Sequence, residues 1–294
     1  MRIVFIGNVD FSLVMLNVLL EMNIQVVGVI TKQFSSFNSD HVDLSAVAQR
    51  NGIPFKYVKD INHENNITWI KSLNPEIIFC FGWSSLLKAS VLEIAPLGVI
   101  GYHPALLPHN RGRHPIIWAL ALGLKKTGST FFFMTEAADA GDIISQTEIE
   151  ITDNDNAGSL YKKLVASAVA QVKVFVPQLH AGVYPRIVQD LKQGNVWRKR
   201  SMNDGKIDWR MTNRAVYNLV RSLANPYSGA HIDYKGSVVK INRVQMEEYL
   251  ADNIEPGKVL LVSDNQLVVK TGEGAVRIME HTFEDLPVEG DYLL

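Results

Sequence analysis

One short loop, "GYHPALLPHNRGRHP", from Gly101 to Pro115, crowds together residues that can move protons and hold charge. His103 is a natural proton carrier, because an imidazole titrates near neutrality. Arg111 and Arg113 can hold an anionic group, and Asn110 offers a side-chain amide. Pro104 and Pro108 stiffen the backbone, and Gly112 permits a tight turn. A second stretch, "TEAADAGDIISQ", sets Asp139 and Asp142 around a glycine. A carboxylate that orients an imidazole and offsets its charge is a standard device for general acid–base chemistry. His103 and Asp139 are therefore the leading catalytic pair. The plainer readings are a rigid surface loop with solvated histidines, and an Asp–Gly turn of the ordinary kind. His109 and His114 read as structural. No histidine or cysteine pair has zinc-site spacing, so no metal is expected.

Such loops need strand ends to hang from, and the chain supplies them. "RIVFIG", "IQVVGVIT", "PFKYV", "EIIFCFG", "LGVIGYH" and "GSTFFFMT" read as strands. Between them "FSLVMLNVLLEM", "LSAVAQRNG", "ENNITWIKSL", "SSLLKASVLEIA" and "PIIWALALG" read as helices. The alternation predicts a Rossmann-like open, mostly parallel α/β sheet with helices on both faces. Ligands of such sheets bind at the carboxyl ends of the strands, where strand order reverses. If "STFFFM" runs parallel to its neighbour, Asp139 falls on the same sheet edge as His103. The first βα loop, "GNVDFS", is neither G-x-G-x-x-G nor a P-loop, which argues against a nicotinamide enzyme or a P-loop nucleotidase. After Ile151 a long amphipathic helix precedes short strands with Gly, Asn-Pro and Ser-Asp-Asn turns, which predicts a small antiparallel, barrel-like β-domain. The expected division is 1–195 and 206–294, with the boundary between Gly182 and Lys206.

The chain has 294 residues, 47% of them hydrophobic, with a formal net charge of −1. That is enough for a sizeable core, and it carries no basic footprint for a long nucleic acid. No run approaches a membrane span, and the N-terminus reads as a strand rather than a signal peptide. The single cysteine, Cys80, lies in an apolar run and fits a reducing, cytoplasmic setting.

Taken together, these segments resemble the folate-dependent formyltransferases, the group that includes methionyl-tRNA formyltransferase and the nucleotide-sugar N-formyltransferases. The carriers are "RIVFIGNVDFS", "FGWSSLLKASVLEIAPLGVIGYHPALLPHNRGRHPIIWAL" and "DAGDIISQ", then "AGSLYKKL", "DGKIDW", "VRSLANPYSGA" and "PGKVL". They cover nearly the whole chain. H-P-x-L-L-P-x-x-R-G followed by D-A-G-D-I is highly specific. The resemblance implies transfer of a formyl group from N10-formyltetrahydrofolate to a primary amine, without a metal. It assigns His103 and Asp139 to catalysis. It assigns the folate pocket to Phe81, Gly82, Trp83, Leu86 and Leu87, with Ala137, Ala138 and Asp142. The acceptor falls to Asn8, Asp10, Phe11, Tyr102, Arg111 and Arg113. One position departs from the family: its asparagine, two residues before the histidine, is Gly101 here. Removing an oxyanion donor typically costs about 2.7–4 kcal/mol. Asn110 is the expected replacement. Tyr102 is less suited, because strand alternation points it away from His103.

The loop after the second strand, "KQFSSFNSDHVDL", carries one lysine against Asp40 and Asp43, a poor grip for a phosphate backbone. That favours a nucleotide-linked amino sugar from bacterial glycan assembly as acceptor, with small-molecule partners and neither nucleic acid nor membrane. Methionyl-tRNA formyltransferase stays open as the alternative, and a non-catalytic folate-binding homologue as a second. Family analogy points to a homodimer through the C-terminal β-domain.

Overall fold

Continuous apolar runs bounded by glycine become buried parallel strands, and helices fill the connections. The computed structural model describes residues 1–35, 40–249 and 253–293. In chain order the first elements are β1 (Arg2–Ile6), α1 (Asp10–Glu21), β2 (Gln25–Thr31), α2 (Ser45–Arg50), β3 (Phe55–Tyr57), α3 (Glu64–Ser72), β4 (Ile77–Cys80) and α4 (Ala89–Leu92). Then come β5 (Val99–His103), β6 (Arg111–Gly112), α5 (Pro115–Ala121), β7 (Lys126–Phe133), β8 (Ile143–Glu150), α6 (Ala157–His180) and β9 (Val196–Trp197). The chain ends in α7 (Asn213–Ser222), β10 (Ala230–Tyr234), β11 (Ser237–Glu247), β12 (Val259–Ser263), β13 (Gln266–Lys270) and β14 (Ala275–His281).

The first sheet has the order β3-β2-β1-β4-β5-β7-β8. Strands β3 to β5 pair in parallel. The order reverses between β1 and β4, so the loops after these two strands flank a topological switch point. Ser12 knits those loops: its hydroxyl donates to Phe81 O at 2.5 Å and accepts from the N–H groups of Asn8 and Val9. The expected mostly parallel α/β sheet is therefore present. One condition of the sequence reading is not met, and one element is shorter than expected. β7 runs antiparallel to β5, pairing Ile100 with Phe133 and His103 with Thr130. The helix expected over "SSLLKASVLEIA" is confined to Ala89–Leu92, because Asn62 holds the preceding backbone extended. Its side chain donates to Leu86 O and accepts from Lys88 N.

Close contacts divide the chain into two units, Met1–Pro115 with Thr127–Ile149 and Lys162–Trp197, and Ile116–Lys126 with Glu150–Tyr161 and Arg198–Leu294. The units are thus not two uninterrupted lengths of chain. In the second, Arg221 donates to the carbonyls of Thr152 and Asp155, and Ile117 joins the core of Ile232, Val239, Val269 and Ile278. Its five-stranded antiparallel sheet has the order β10-β11-β14-β13-β12, with α7 packed on β11 and β14. Among the described residues no helix is long and apolar enough to cross a membrane.

In the first unit the core is built from Val4, Ile6, Ile30, Ile78, Cys80 and Val99. Burial pushes the Cys80 thiol up to about 12. A thiol must ionise to react. Cys80 is therefore expected to stay unlabelled by a disulfide reagent at pH 8 and to react fully in denaturant. Rapid labelling of the native protein would show that this core opens readily.

Candidate active site

His103 closes β5 and is 5% exposed. Its Nε2 lies 2.8 Å from the carbonyl oxygen of Asn110. A carbonyl can only accept, so Nε2 carries a proton and Nδ1 is the nitrogen left to exchange one. Nδ1 faces Asp139 Oδ2 at 3.7 Å. This is a charge contact rather than a hydrogen bond, and such contacts often tighten only when substrate binds. The same Oδ2 accepts the Gly112 N–H at 2.8 Å. The loop that carries the histidine therefore also orients the aspartate. Asp139 has φ of 56°, a left-handed conformation that Asp tolerates better than most residues.

The strand pairing alone does not bring the two together. Met134 N donates to Val99 O, so the β7–β8 loop leaves at the Val99 end of β5 and must fold back to reach His103. The His103 loop is pinned from below. Thr127 and Thr130 hydroxyls donate to the carbonyls of Pro104 and Ala105, and the Gln146 amide donates to Leu107 O. Gly112 has φ of 99°, and a Cβ there would lie 2.4 Å from the carbonyl oxygen of Trp197. Only glycine lets β9 approach closely enough to pair with β6.

Gly101 is not an open notch. A Cβ at this position would lie 2.8 Å from Met134 Cγ, 3.1 Å from Met134 Sδ and 3.2 Å from Phe132 Cζ. The space beside the glycine is filled by a thioether and an aromatic ring. Neither donates a hydrogen bond to an oxyanion. Asn110 has φ of 62°; its N–H donates to Asn195 Oδ1, and its carbonyl meets the imidazole.

Three loops converge on this pair. Arg113 Nη1 donates to Ser84 O at 2.8 Å, tying the His103 loop to the β4–α4 loop. Ala89 N donates to Glu136 Oε1 at 3.3 Å, tying that loop to the β7–β8 loop. The residues expected to hold folate thus lie on loops joined to the expected catalytic pair. Phe81 and Leu87 are buried, Leu86 is 63% exposed, and Ala137 and Ala138 are exposed. Gly82 has φ of 71°, and the Lys32 ammonium sits over the Trp83 ring. Asp142 pairs with Arg186 at 3.1 Å. An exposed leucine beside irregular backbone suits one face and one polar edge of a flat heterocycle.

The acceptor set is more dispersed. Asn8 is fully buried beside the switch point, and neither its amide nitrogen nor its oxygen is bonded. Asp10 opens α1 and is exposed. Phe11 and Tyr102 are stacked on one another, 4.2 Å apart, and Tyr102 also meets Phe131. Burial pushes the Tyr102 phenol up, and Ser129 hydrogen-bonds to it. These two rings form part of an aromatic cluster on the face of β5 away from His103. Arg111 Nη2 donates to Leu191 O at 3.4 Å, while its Nε is buried without a partner.

The sequence reading missed the segment between α6 and β9. Gln189, 8% exposed, donates through its amide to Asp139 O at 3.0 Å and Gly141 O at 2.6 Å. Asn195 accepts from Asn110 N at 2.8 Å, and its own carbonyl accepts from Arg111 N. The available signal is a run rich in amides, "VQDLKQGN", inside the expected domain boundary. Among the described residues no group of three His, Cys, Asp or Glu is placed to hold a metal.

Against known families, residues 1–175 match the model described as formyl transferase, and residues 199–288 match that of the formyl transferase C-terminal domain. Methionyl-tRNA formyltransferase of Bacillus velezensis is 32% identical over 284 residues, covering 95% of this chain and 88% of that protein. The protein of the same name from Halothermothrix orenii is 33% identical, covering 95% and 92%. Among solved structures, the N-formyltransferase of Helicobacter canadensis, in complex with folinic acid and dTDP-3-aminofucose, shares the fold. It has a TM-score of 0.70 at 16% identity, covering 95% of this chain and 98% of that one.

Proposed function

Since the chain belongs to the formyl transferase family, we propose that it moves a formyl group from N10-formyltetrahydrofolate to the primary amine of a nucleotide-linked amino sugar, in bacterial surface-glycan assembly. In this reading the unit holding β1 to β9 is catalytic. The donor supplies an activated formyl carbon, with its ring held by Phe81–Leu87 and the backbone of residues 137–142. As the amine bonds to the formyl carbon, His103 Nδ1 takes the proton that the amine sheds. As the formyl carbon–N10 bond breaks, that proton goes to N10 of the departing tetrahydrofolate, while Nε2–H stays on Asn110 O. The Asp139 carboxylate offsets the charge that develops on the imidazole. Asn110 is kept as the side-chain donor toward the formyl oxygen, in place of the residue missing at Gly101. Arg111 and Arg113 meet the diphosphate, and the buried amide of Asn8 meets the acceptor at the switch point.

The observation that carries the sugar reading is the β2–α2 loop. Its only lysine, Lys32, lies over Trp83 at 4.7 Å. Asp43 is spent on Tyr57 OH and on Ser45 N at the start of α2. The part of this loop at residues 36–39 lies outside the described residues, and its sequence, "SFNS" before Asp40, adds no cation. A tRNA acceptor is the second reading, favoured by the full-length identity to methionyl-tRNA formyltransferases. It would need basic residues elsewhere, such as Arg198 to Arg200, of which Arg198 is already paired with Asp204.

The expected result is turnover of a nucleotide-linked amino sugar with N10-formyltetrahydrofolate, and no measurable formylation of charged initiator tRNA at physiological salt. Efficient tRNA formylation under the same conditions would replace the first reading by the second. Failure of both acceptors, with folate still bound, would support a non-catalytic homologue.

A further inference from the structure

We infer that the segment from Tyr184 to Trp197 is a positioning strap for the catalytic pair, with Gln189 and Asn195 as its two working side chains. The inference rests on the proton-handling roles given to His103 and Asp139 above. Each loop of the pair is irregular, and each contains a residue at positive φ: Asn110 at 62° and Asp139 at 56°. His103 ends β5 and is paired with Thr130, but the loop beyond it, and Asp139 with its turn, lie outside the main sheet. Both loops are held by the strap. At one end, Arg186 pairs with Asp142, and Ile187 and Ile143 exchange backbone hydrogen bonds. The Gln189 amide then clasps the turn that presents Asp139, through the carbonyls of Asp139 and Gly141. At the other end, β9 pairs with β6, and Gly194 packs so closely on Pro108 that a Cβ would lie 2.0 Å from its carbonyl oxygen.

Asn195 fixes Asn110 by accepting its N–H, and the carbonyl of that same Asn110 holds His103 Nε2. The chain of contacts therefore runs from Asn195 through Asn110 to the imidazole, and from Gln189 through the turn backbone to the carboxylate. Alongside the Gly112 N–H on Oδ2, one continuous segment thus braces the two loops that set the 3.7 Å separation of Nδ1 from Oδ2. The two amides, Gln189 buried and Asn195 exposed, act in opposite senses. Gln189 is needed as a donor, because both of its partners are carbonyls. Asn195 is needed as an acceptor, because its partner is an N–H.

That asymmetry makes the proposal testable with isosteric changes in the full-length protein. Gln189→Glu keeps size and shape but sets a carboxylate oxygen against two carbonyls, and Gln189→Met removes the donor without adding charge. Both are expected to lower kcat on the order of 10²-fold while folate KM stays near wild type, since misplacing a reacting group costs rate rather than affinity. Asn195→Ala is expected to do the same, and Asn195→Asp, which keeps the acceptor, to recover most of the loss. Hydrogen–deuterium exchange is the second readout, independent of any acceptor. Exchange should rise in peptides spanning 134–142 for the Gln189 variants and in those spanning 104–113 for Asn195→Ala, with the rest of the chain protected as in wild type. Wild-type kcat in Gln189→Met and Asn195→Ala, equal damage by Asn195→Asp and Asn195→Ala, or unchanged exchange in both loops would each overturn the strap. If the wild type turns over no amino sugar, the acceptor assignment falls, and the exchange pattern still decides the strap.

Discussion

Replacing His103 by asparagine is expected to reduce kcat by about 10²–10⁴, the range of a lost general acid–base group, while N10-formyltetrahydrofolate still binds. The reason lies in the two nitrogens. Nε2 is occupied by Asn110 O at 2.8 Å, so proton exchange falls to Nδ1 alone. Asparagine has no group that titrates near neutrality, so Nδ1 has no substitute. The folate loops are anchored by other contacts, Arg113 to Ser84 and Ala89 to Glu136, which the substitution leaves in place. Steady-state kinetics with a good acceptor, paired with direct titration of folate binding, separates the two effects. Wild-type turnover in the variant would mean that the proton leaves by another route. Lost folate binding would mean that His103 shapes the pocket instead.

The β5 loop was legible because its residue types are unusual together and because it follows an apolar run ending at a predicted strand end. The parallel strands β1 to β5 were legible for a related reason: strands buried on both faces read as unbroken apolar runs. What sequence did not disclose depends on contacts between distant residues. The direction of β7 is one such case, since "STFFFM" is equally apolar run either way. β8 is another, because "IISQTEIE" is buried only at its start and has the polarity of a loop beyond it. The helix overextended at Ser84–Lys88 failed because one side chain, Asn62, competes for the backbone from another loop. Gln189 and Asn195 were missed for the same reason: amide-to-backbone bonds have no periodicity.

Gly101 shows the converse. Its departure from the family motif was visible in sequence, but not what fills the gap. Met134 and Phe132 come from β7 and the loop after it, and they close the space against Gly101. A bulkier acceptor therefore gains no room from the glycine while Met134 keeps this rotamer. In the proposed reaction the oxyanion donor is therefore sought in the Asn110 loop, the imidazole or a backbone N–H.

Changing Asp139 to asparagine is expected to lower kcat far more than it raises the folate KM. Oδ2 of Asp139 has two tasks: it accepts Gly112 N–H at 2.8 Å, and it faces His103 Nδ1 at 3.7 Å. An asparagine can do the first by keeping its oxygen on Gly112; the reverse orientation would set two donors against each other. It tolerates the left-handed backbone as well as aspartate does. The turn is therefore preserved, and only the negative charge is removed. That charge matters most as Nδ1 takes a proton, so its loss falls on the transition state rather than on binding. Asp139→Ala is the comparison. It also frees Gly112 N–H and places a non-glycine, non-Asx residue at φ of 56°, so it should lower thermal stability where Asp139→Asn does not. If the two residues act as a unit, His103→Asn combined with Asp139→Asn should be scarcely slower than His103→Asn alone. Additive losses in that cycle would separate the carboxylate from the imidazole, and an Asp139→Asn enzyme with near-full turnover would leave Asp139 as a turn residue only.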